Sequence, residues 1–235
     1  MATLGIIGGI APESTIQYYR LIVAAYREQR GDGAYPSILI NSIDLKRLLD
    51  LAAAERLAEL TEYLLRELER LARAGADVAL FASNTPHLVF EEVRRHSPIP
   101  LLSIVEAACA AAEAQGLTRV GLLGTRFTME ARFYPDVFGR AGITVVAPDA
   151  DERRWVHDRY MNELIQTVFR VETRERMLAL VSRMKARDRI EGVILGGTEL
   201  PLLLRDAGGS GIPLLDTTRI HAERAVAHLL AHGAG

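Results

Sequence analysis

Cysteine occurs once in the 235 residues, at Cys109, which excludes an intrachain disulfide and any multi-cysteine zinc or iron–sulfur centre. Such sparing use fits a reducing cytosol, so a cytoplasmic protein is expected. An excess of charge of one sign is also lacking. Lys and Arg number 28 against 30 Asp and Glu, with a pI near 6.3, so no global field draws the chain to nucleic acid or an anionic membrane. No apolar run reaches the roughly 20 residues that a membrane span needs. The apolar start, 4–10, has no preceding Lys or Arg and is broken by Gly5, Gly8 and Gly9, so it reads as strand and turn, not a signal peptide. The histidines are scattered, without a His-Glu-x-x-His pattern or a close carboxylate cluster, and no metal is expected. Phosphate-loop and dinucleotide-loop spacings are missing as well, and Ser83 lacks the Gly-x-Ser-x-Gly elbow of a hydrolase triad.

What is present is a regular alternation. Short apolar runs at 4–7, 37–40, 78–81, 101–104, 120–123, 143–146, 193–195 and 214–215 read as strands covered on both faces. Between them lie helical patterns at 14–30, 53–74, 86–96, 106–115, 130–141, 151–169, 173–186 and 217–231. In the second of these Leu57, Leu60, Leu64, Leu68 and Leu71 form one apolar stripe, with Glu59, Arg66, Glu67 and Arg70 assigned to the opposite face. This is the pattern of an α/β protein with mostly parallel sheets and right-handed crossovers. An internal repeat adds detail. Ile99-Pro100-Leu101-Leu102 recurs 113 positions later as Ile212-Pro213-Leu214-Leu215. Val78–Phe81 before Ser83-Asn84-Thr85 matches Val193–Leu195 before Gly197-Thr198-Glu199, and Leu4–Gly9 matches Val120–Thr125. Two similar α/β halves follow, 1–116 and 117–235, joined near 115–119, with the last helix a candidate to cross back onto the first half. A single domain of seven or eight strands is the alternative.

Parallel sheets bind ligands beyond the carboxyl ends of their strands. Four loops there are rich in glycine or polar residues. Gly8-Gly9-Ile10-Ala11-Pro12-Glu13-Ser14-Thr15 reads either as a tight turn or as an anion cradle at a helix start. In Ser83-Asn84-Thr85-Pro86-His87, Pro86 suits a first helical position with Thr85 as its cap. His87 there is equally a packing residue or an acid/base. Gly124-Thr125-Arg126-Phe127-Thr128 and Gly196-Gly197-Thr198-Glu199 mirror these two loops in the second half. Thr125 and Thr128 suit carboxylate binding or helix capping. Glu199 reads as a base, an orienting group or an ordinary first-turn acid. Asp216 and His221, at the start of the last helix, cap that helix or face a cleft.

In order and spacing these loops resemble the aspartate/glutamate racemase superfamily, whose members work without pyridoxal phosphate. The resemblance spans nearly the whole chain. It implies a cofactor-free isomerase, often a homodimer, acting on a small carboxylate or amino acid in a cleft between its halves. It makes Asn84, Thr85 and Thr125 the holders of the α-carboxylate, with Gly9, Thr128, Thr198 and Asp216 nearby, and Arg47 a basic residue for a side-chain carboxylate. The lysine that would partner Arg47 is absent from the helical stretch 158–169.

The family pattern reads Cys-Asn-Thr in one half and Gly-Cys-Thr-Glu in the other, and here Ser83 and Gly197 stand at the two cysteine positions. Racemisation takes a proton from one face of the α-carbon and returns one to the other. Two thiols suit that task because a Cys pKa of about 8.5 is readily lowered. A serine hydroxyl is a far poorer base, and glycine has no side chain, so the two-thiol mechanism cannot run here. Cys109, in an Ala-rich helix, reads as a packing residue. Catalytic candidates are Ser83, Gly197, His87 and Glu199. A one-sided isomerase leads, followed by a silent carboxylate-binding homologue, a decarboxylase or lyase in the same cleft, and a hydrolase using Ser83 with His87.

Overall fold

The computed structural model describes residues 2–204 and 211–232. It divides into two compact units, residues 1–104 with 218–235, and residues 105–217. The first unit runs β1 (Thr3–Gly8), α1 (Pro12–Arg30), β2 (Ser37–Ser42), α2 (Leu45–Ala53), α3 (Leu57–Arg73), β3 (Val78–Phe81), a 3-10 turn (Thr85–Leu88), α4 (Phe90–His96) and β4 (Leu101–Leu102). The helix α5 (Ile104–Ala114) leads into the second unit. There follow β5 (Arg119–Gly124), α6 (Arg126–Glu130), α7 (Phe133–Arg140), β6 (Thr144–Val146), α8 (Ala150–Asn162), a 3-10 turn (Leu164–Gln166), α9 (Val171–Asp188), β7 (Gly192–Gly196), α10 (Leu200–Leu203) and β8 (Leu214–Asp216). The terminal helix α11 (Thr217–His232) belongs from Thr218 onward to the first unit.

Each unit holds one parallel sheet, ordered β2-β1-β3-β4 and β6-β5-β7-β8. All eight apolar runs hold strands, but the edge strands β2 and β6 are partly exposed and not covered on both faces. The central strands β3 and β7 are buried throughout, and β1 and β5 at every residue but the first. In both sheets the order reverses between the two central strands, which is where a crevice opens beyond the strand ends. The tip loops after β1 and β3, and those after β5 and β7, therefore flank the crevice of their own sheet.

The halves are alike in another respect. The helix after β4 goes with the second unit and the helix after β8 goes with the first, so each unit carries the last helix of the other's repeat. That puts the division ahead of the join read at 115–119. Ala222, Ala225, Val226 and Leu229 of α11 pack with Leu4, Ile6, Tyr18, Ile22, Val78 and Leu80 in the first unit's core.

The helices break where a uniform pattern hides local chemistry. The helix read at 53–74 begins only at Leu57, and a further helix, α2, precedes it. Asp44 caps α2 by accepting from the Lys46 and Arg47 amides at 2.9 and 3.3 Å, and Glu55 then takes a left-handed conformation, φ 53°, before α3 begins. Glu67 is not on the solvent face of α3 either. It is buried, with its carboxylate accepting from Asn41 Nδ2 at 2.8 Å and from Arg70 at 2.7 Å. The stretch 130–141 divides because Pro135 cannot continue a helix past the carbonyl of Ala131. The stretch 151–169 ends at Asn162, where buried Glu163 turns back to accept from Arg159 at 2.7 Å and from Thr173 at 2.6 Å. Among the described residues no helix is long and apolar enough to cross a membrane.

Leu229 is 3% exposed in the first unit's core, whereas its neighbour Leu230 is only partly buried. Leu229→Ala is expected to cost about 2–5 kcal/mol through the cavity it leaves, and Leu230→Ala clearly less. Chemical denaturation measures both, and equal losses would contradict this seating of α11.

Candidate functional site

The first tip loop is a tightly packed turn. Gly9 has φ 82°, and its amide donates to Thr15 Oγ1 at 2.8 Å. A Cβ there would lie 2.6 Å from the Ile43 carbonyl oxygen, so only glycine fits. Ser14 donates back to the Ala11 carbonyl at 2.7 Å, fastening the start of α1.

After β3, Ser83, Asn84, Thr85 and His87 are all buried. Thr85 is not a helix cap. It lies inside the 3-10 turn, Asn84 takes the capping position without a side-chain cap bond, and the chain bends at Val89, φ −128° and ψ 17°, before α4. The stretch 86–96 is thus a turn and a helix, with Pro86 initiating only the turn. The Ser83 hydroxyl makes no hydrogen bond among the described residues, so nothing there draws off its proton. His87 faces elsewhere. Its Nε2 meets Ser103 Oγ at 3.2 Å and its ring stacks on Phe90, centroids 4.4 Å apart. Burial, with the His221 charge nearby, lowers its pKa to about 3, so it is neutral and weakly basic at neutral pH. A Ser83–His87 nucleophile pair is not formed.

His221 is wholly buried within the first unit. Its Nε2 lies 3.1 Å from the Leu102 carbonyl oxygen and therefore carries the proton, leaving Nδ1 to accept from the Tyr18 hydroxyl at 2.8 Å. Burial lowers its pKa to about 4. Arg47 sits in the first turn of α2, outside the helical patterns that the sequence shows. Its guanidinium lies 4.5 Å from the Tyr63 ring centre, in a depression shared with Lys46, Asp50, Arg56 and Glu59. Lys46 is paired with Asp50 and Arg56 with Glu59, whereas Arg47 has no carboxylate within ion-pair distance among the described residues.

In the second unit Thr125 precedes α6 without capping it, and its hydroxyl lies 3.3 Å from that of Thr128, both buried. Asp216 ends β8 in register with Leu195, and Thr217 donates to the Leu195 carbonyl at 2.8 Å. Glu199 is 2% exposed, which sets it apart from an ordinary first-turn acid. Its Oε2 accepts from Thr198 Oγ1 at 3.0 Å and from the Tyr160 hydroxyl. Tyr160, on α8, escaped sequence reading. A Cβ on Gly197 would lie 2.7 Å from its phenol oxygen and 2.8 Å from Cζ, so the ring fills the space of a side chain at 197. The missing signal is pairwise: a glycine at a cysteine position matters only once the tyrosine that fills it is known. Burial and the adjacent Glu199 hold the phenol well above its usual range, and it is neutral. No group of three or more potential metal ligands forms among the described residues.

Polar loops at the switch points of two repeated parallel sheets define an α/β protein built to bind small molecules. Comparison with known proteins makes this specific. The Asp/Glu/Hydantoin racemase family profile matches residues 7–225, and the chain belongs to that family. A crystal structure from Yersinia pestis, put forward as an Asp/Glu racemase, is 33% identical, with TM-score 0.89 over 98% of this chain and 100% of that one. An aspartate racemase homologue from Pyrococcus horikoshii OT3 is 34% identical, with TM-score 0.83 over 99% and 100% of the two chains. The broad specificity amino-acid racemase RacX of Bacillus subtilis is 24% identical over 97% of this chain and 99% of its own.

Two outcomes follow from this geometry. An unfolded histidine titrates near 6.5, whereas folded His87 stays unprotonated until about pH 3. Its contribution to stability is therefore complete above about pH 6.5 and lost as pH falls below it, by up to about 1.4 kcal/mol per pH unit. Unfolding free energies between about pH 7 and 4.5 should fall more steeply in the wild type than in His87→Gln, and equal slopes would exclude a buried neutral His87. Second, Gly197→Ala should destabilise by about 1–3 kcal/mol through overpacking, and by less in a Tyr160→Ala background. A double-mutant cycle measures the coupling, and additivity would place Tyr160 outside that space.

Proposed function

We propose that this protein is a cofactor-independent isomerase that moves a proton at the α-carbon of an amino acid or a related carboxylic acid. The observation that carries the reading is the set of buried polar side chains at the tips of central strands in a racemase-family fold: Asn84 and Thr85 after β3, Thr125 and Thr128 after β5, Thr198 and Glu199 after β7. Removing an α-proton drives charge into the substrate carboxylate, and fixed amide and hydroxyl donors stabilise that charge. Asn84, Thr85 and Thr125 are assigned to the carboxylate, and Arg47, a cation with no carboxylate within ion-pair distance among the described residues, to a second anionic group. The kinship with RacX supports an amino-acid substrate. The family resemblance further supports a homodimer acting in the cytoplasm.

The Ser83 hydroxyl, which meets no base among the described residues, favours a second reading, a carboxylate-binding protein that performs no chemistry. One experiment separates the two. Amino and hydroxy acids are incubated with the protein in heavy water, α-proton exchange is followed by NMR, and ligand-induced thermal shifts are recorded alongside. Exchange with at least one substrate is expected. Stabilisation without exchange or turnover establishes the binding protein, and neither response across the panel removes both readings.

A further inference from the structure

The second thiol position is occupied, not vacant. The Tyr160 hydroxyl lies 2.7 Å from where a Cβ on Gly197 would be, within the reach of the side chain the family pattern puts there. It donates to Glu199 Oε2, which Thr198 holds from the other side at 3.0 Å. The hydroxyl at the first thiol position, Ser83, has no such carboxylate behind it among the described residues. We infer that Tyr160 acts in place of the second thiol as the group that exchanges the substrate α-proton, with Glu199 positioning it and taking its phenolic proton, and that transfer is confined to one face of the α-carbon. The inference rests on the α-proton chemistry proposed above.

The step balances without a further reactant. The Cα–H bond breaks as its proton passes to the phenol oxygen, and the phenol's own proton passes to Glu199 Oε2. The C–H electron pair enters the carboxylate, giving an enediolate stabilised by the donors assigned to that group. Reversal returns a proton to the face it left. In heavy water, with Glu199 equilibrated with solvent, that proton is a deuteron. The product is therefore the starting enantiomer labelled at the α-carbon, because Tyr160 carries the proton in both directions.

Tyr160→Phe keeps the ring that fills the Gly197 space and removes only the hydroxyl. On a substrate found in the heavy-water panel, it is expected to lower kcat for α-deuteration by about 100-fold or more, with KM and the ligand-induced thermal shift little changed. Chiral chromatography of the wild-type reaction should show retained configuration. Glu199→Gln should lose exchange and Glu199→Asp recover part of it, which decides the matter if Tyr160→Phe does not fold. Wild-type rates in Tyr160→Phe or Glu199→Gln overturn the inference and leave the enzyme reading standing. So does formation of the opposite enantiomer as fast as label enters. A wild type that binds carboxylates but exchanges nothing overturns both.

Discussion

Burial of two adjacent parallel strands in each unit is the constraint from which the other features follow. With β1 and β3 covered on both faces, their backbone groups are satisfied only by the ladder, and their connections must run over helices on either side. Because the next strands are added on opposite sides, the loops leaving β1 and β3 diverge, and polar residues are tolerated at that opening. The same holds for β5 and β7. The glycines of the repeat serve this close packing in both units. A Cβ on Gly5 would touch Leu71 and Ala76 at 3.0 Å, and one on Gly121 would meet Ile190 at 2.9 Å and Met184 at 3.2 Å. One turn later, Gly8 makes room for Thr15, and Gly124 for Thr128, at the head of the following helix.

Much of this was legible in the residues, for a physical reason. A strand buried on both faces is uniformly apolar, so the central strands could be read, and the matched runs disclosed two halves with the same strand order. Helix boundaries were less legible because they depend on single backbone events. The left-handed turn at Glu55 and the proline at 135 each interrupt a stretch whose apolar spacing reads as continuous, and the cap at Asp44 starts a helix that the spacing does not announce. Glu67 was misplaced because a carboxylate paired with Asn41 and Arg70 no longer behaves as a surface charge. Of the candidate site, the polar tips were legible from their position after strands. Tyr160 was not, since it reaches Glu199 across 39 residues of sequence.

The tips of the two units differ in kind. The polar residues at the first unit's β3 tip are neutral: a serine that meets no base among the described residues, an amide, a threonine, and a histidine that burial keeps uncharged. The second unit buries a carboxyl group, which is costly unless donors surround it. Thr198 supplies one donor and Tyr160 another. Glycine at 197 and tyrosine at 160 therefore depend on each other. A larger residue at 197 would displace the phenol and deprive Glu199 of a hydrogen bond, and a smaller residue at 160 would leave both a void and an undersupplied carboxyl. What the family pattern Gly-Cys-Thr-Glu and this chain share is the Thr-Glu pair, together with a polar group held over it. The thiol is gone, but the electrostatic requirement that Glu199 imposes on its neighbour is met by a different atom brought in from another helix.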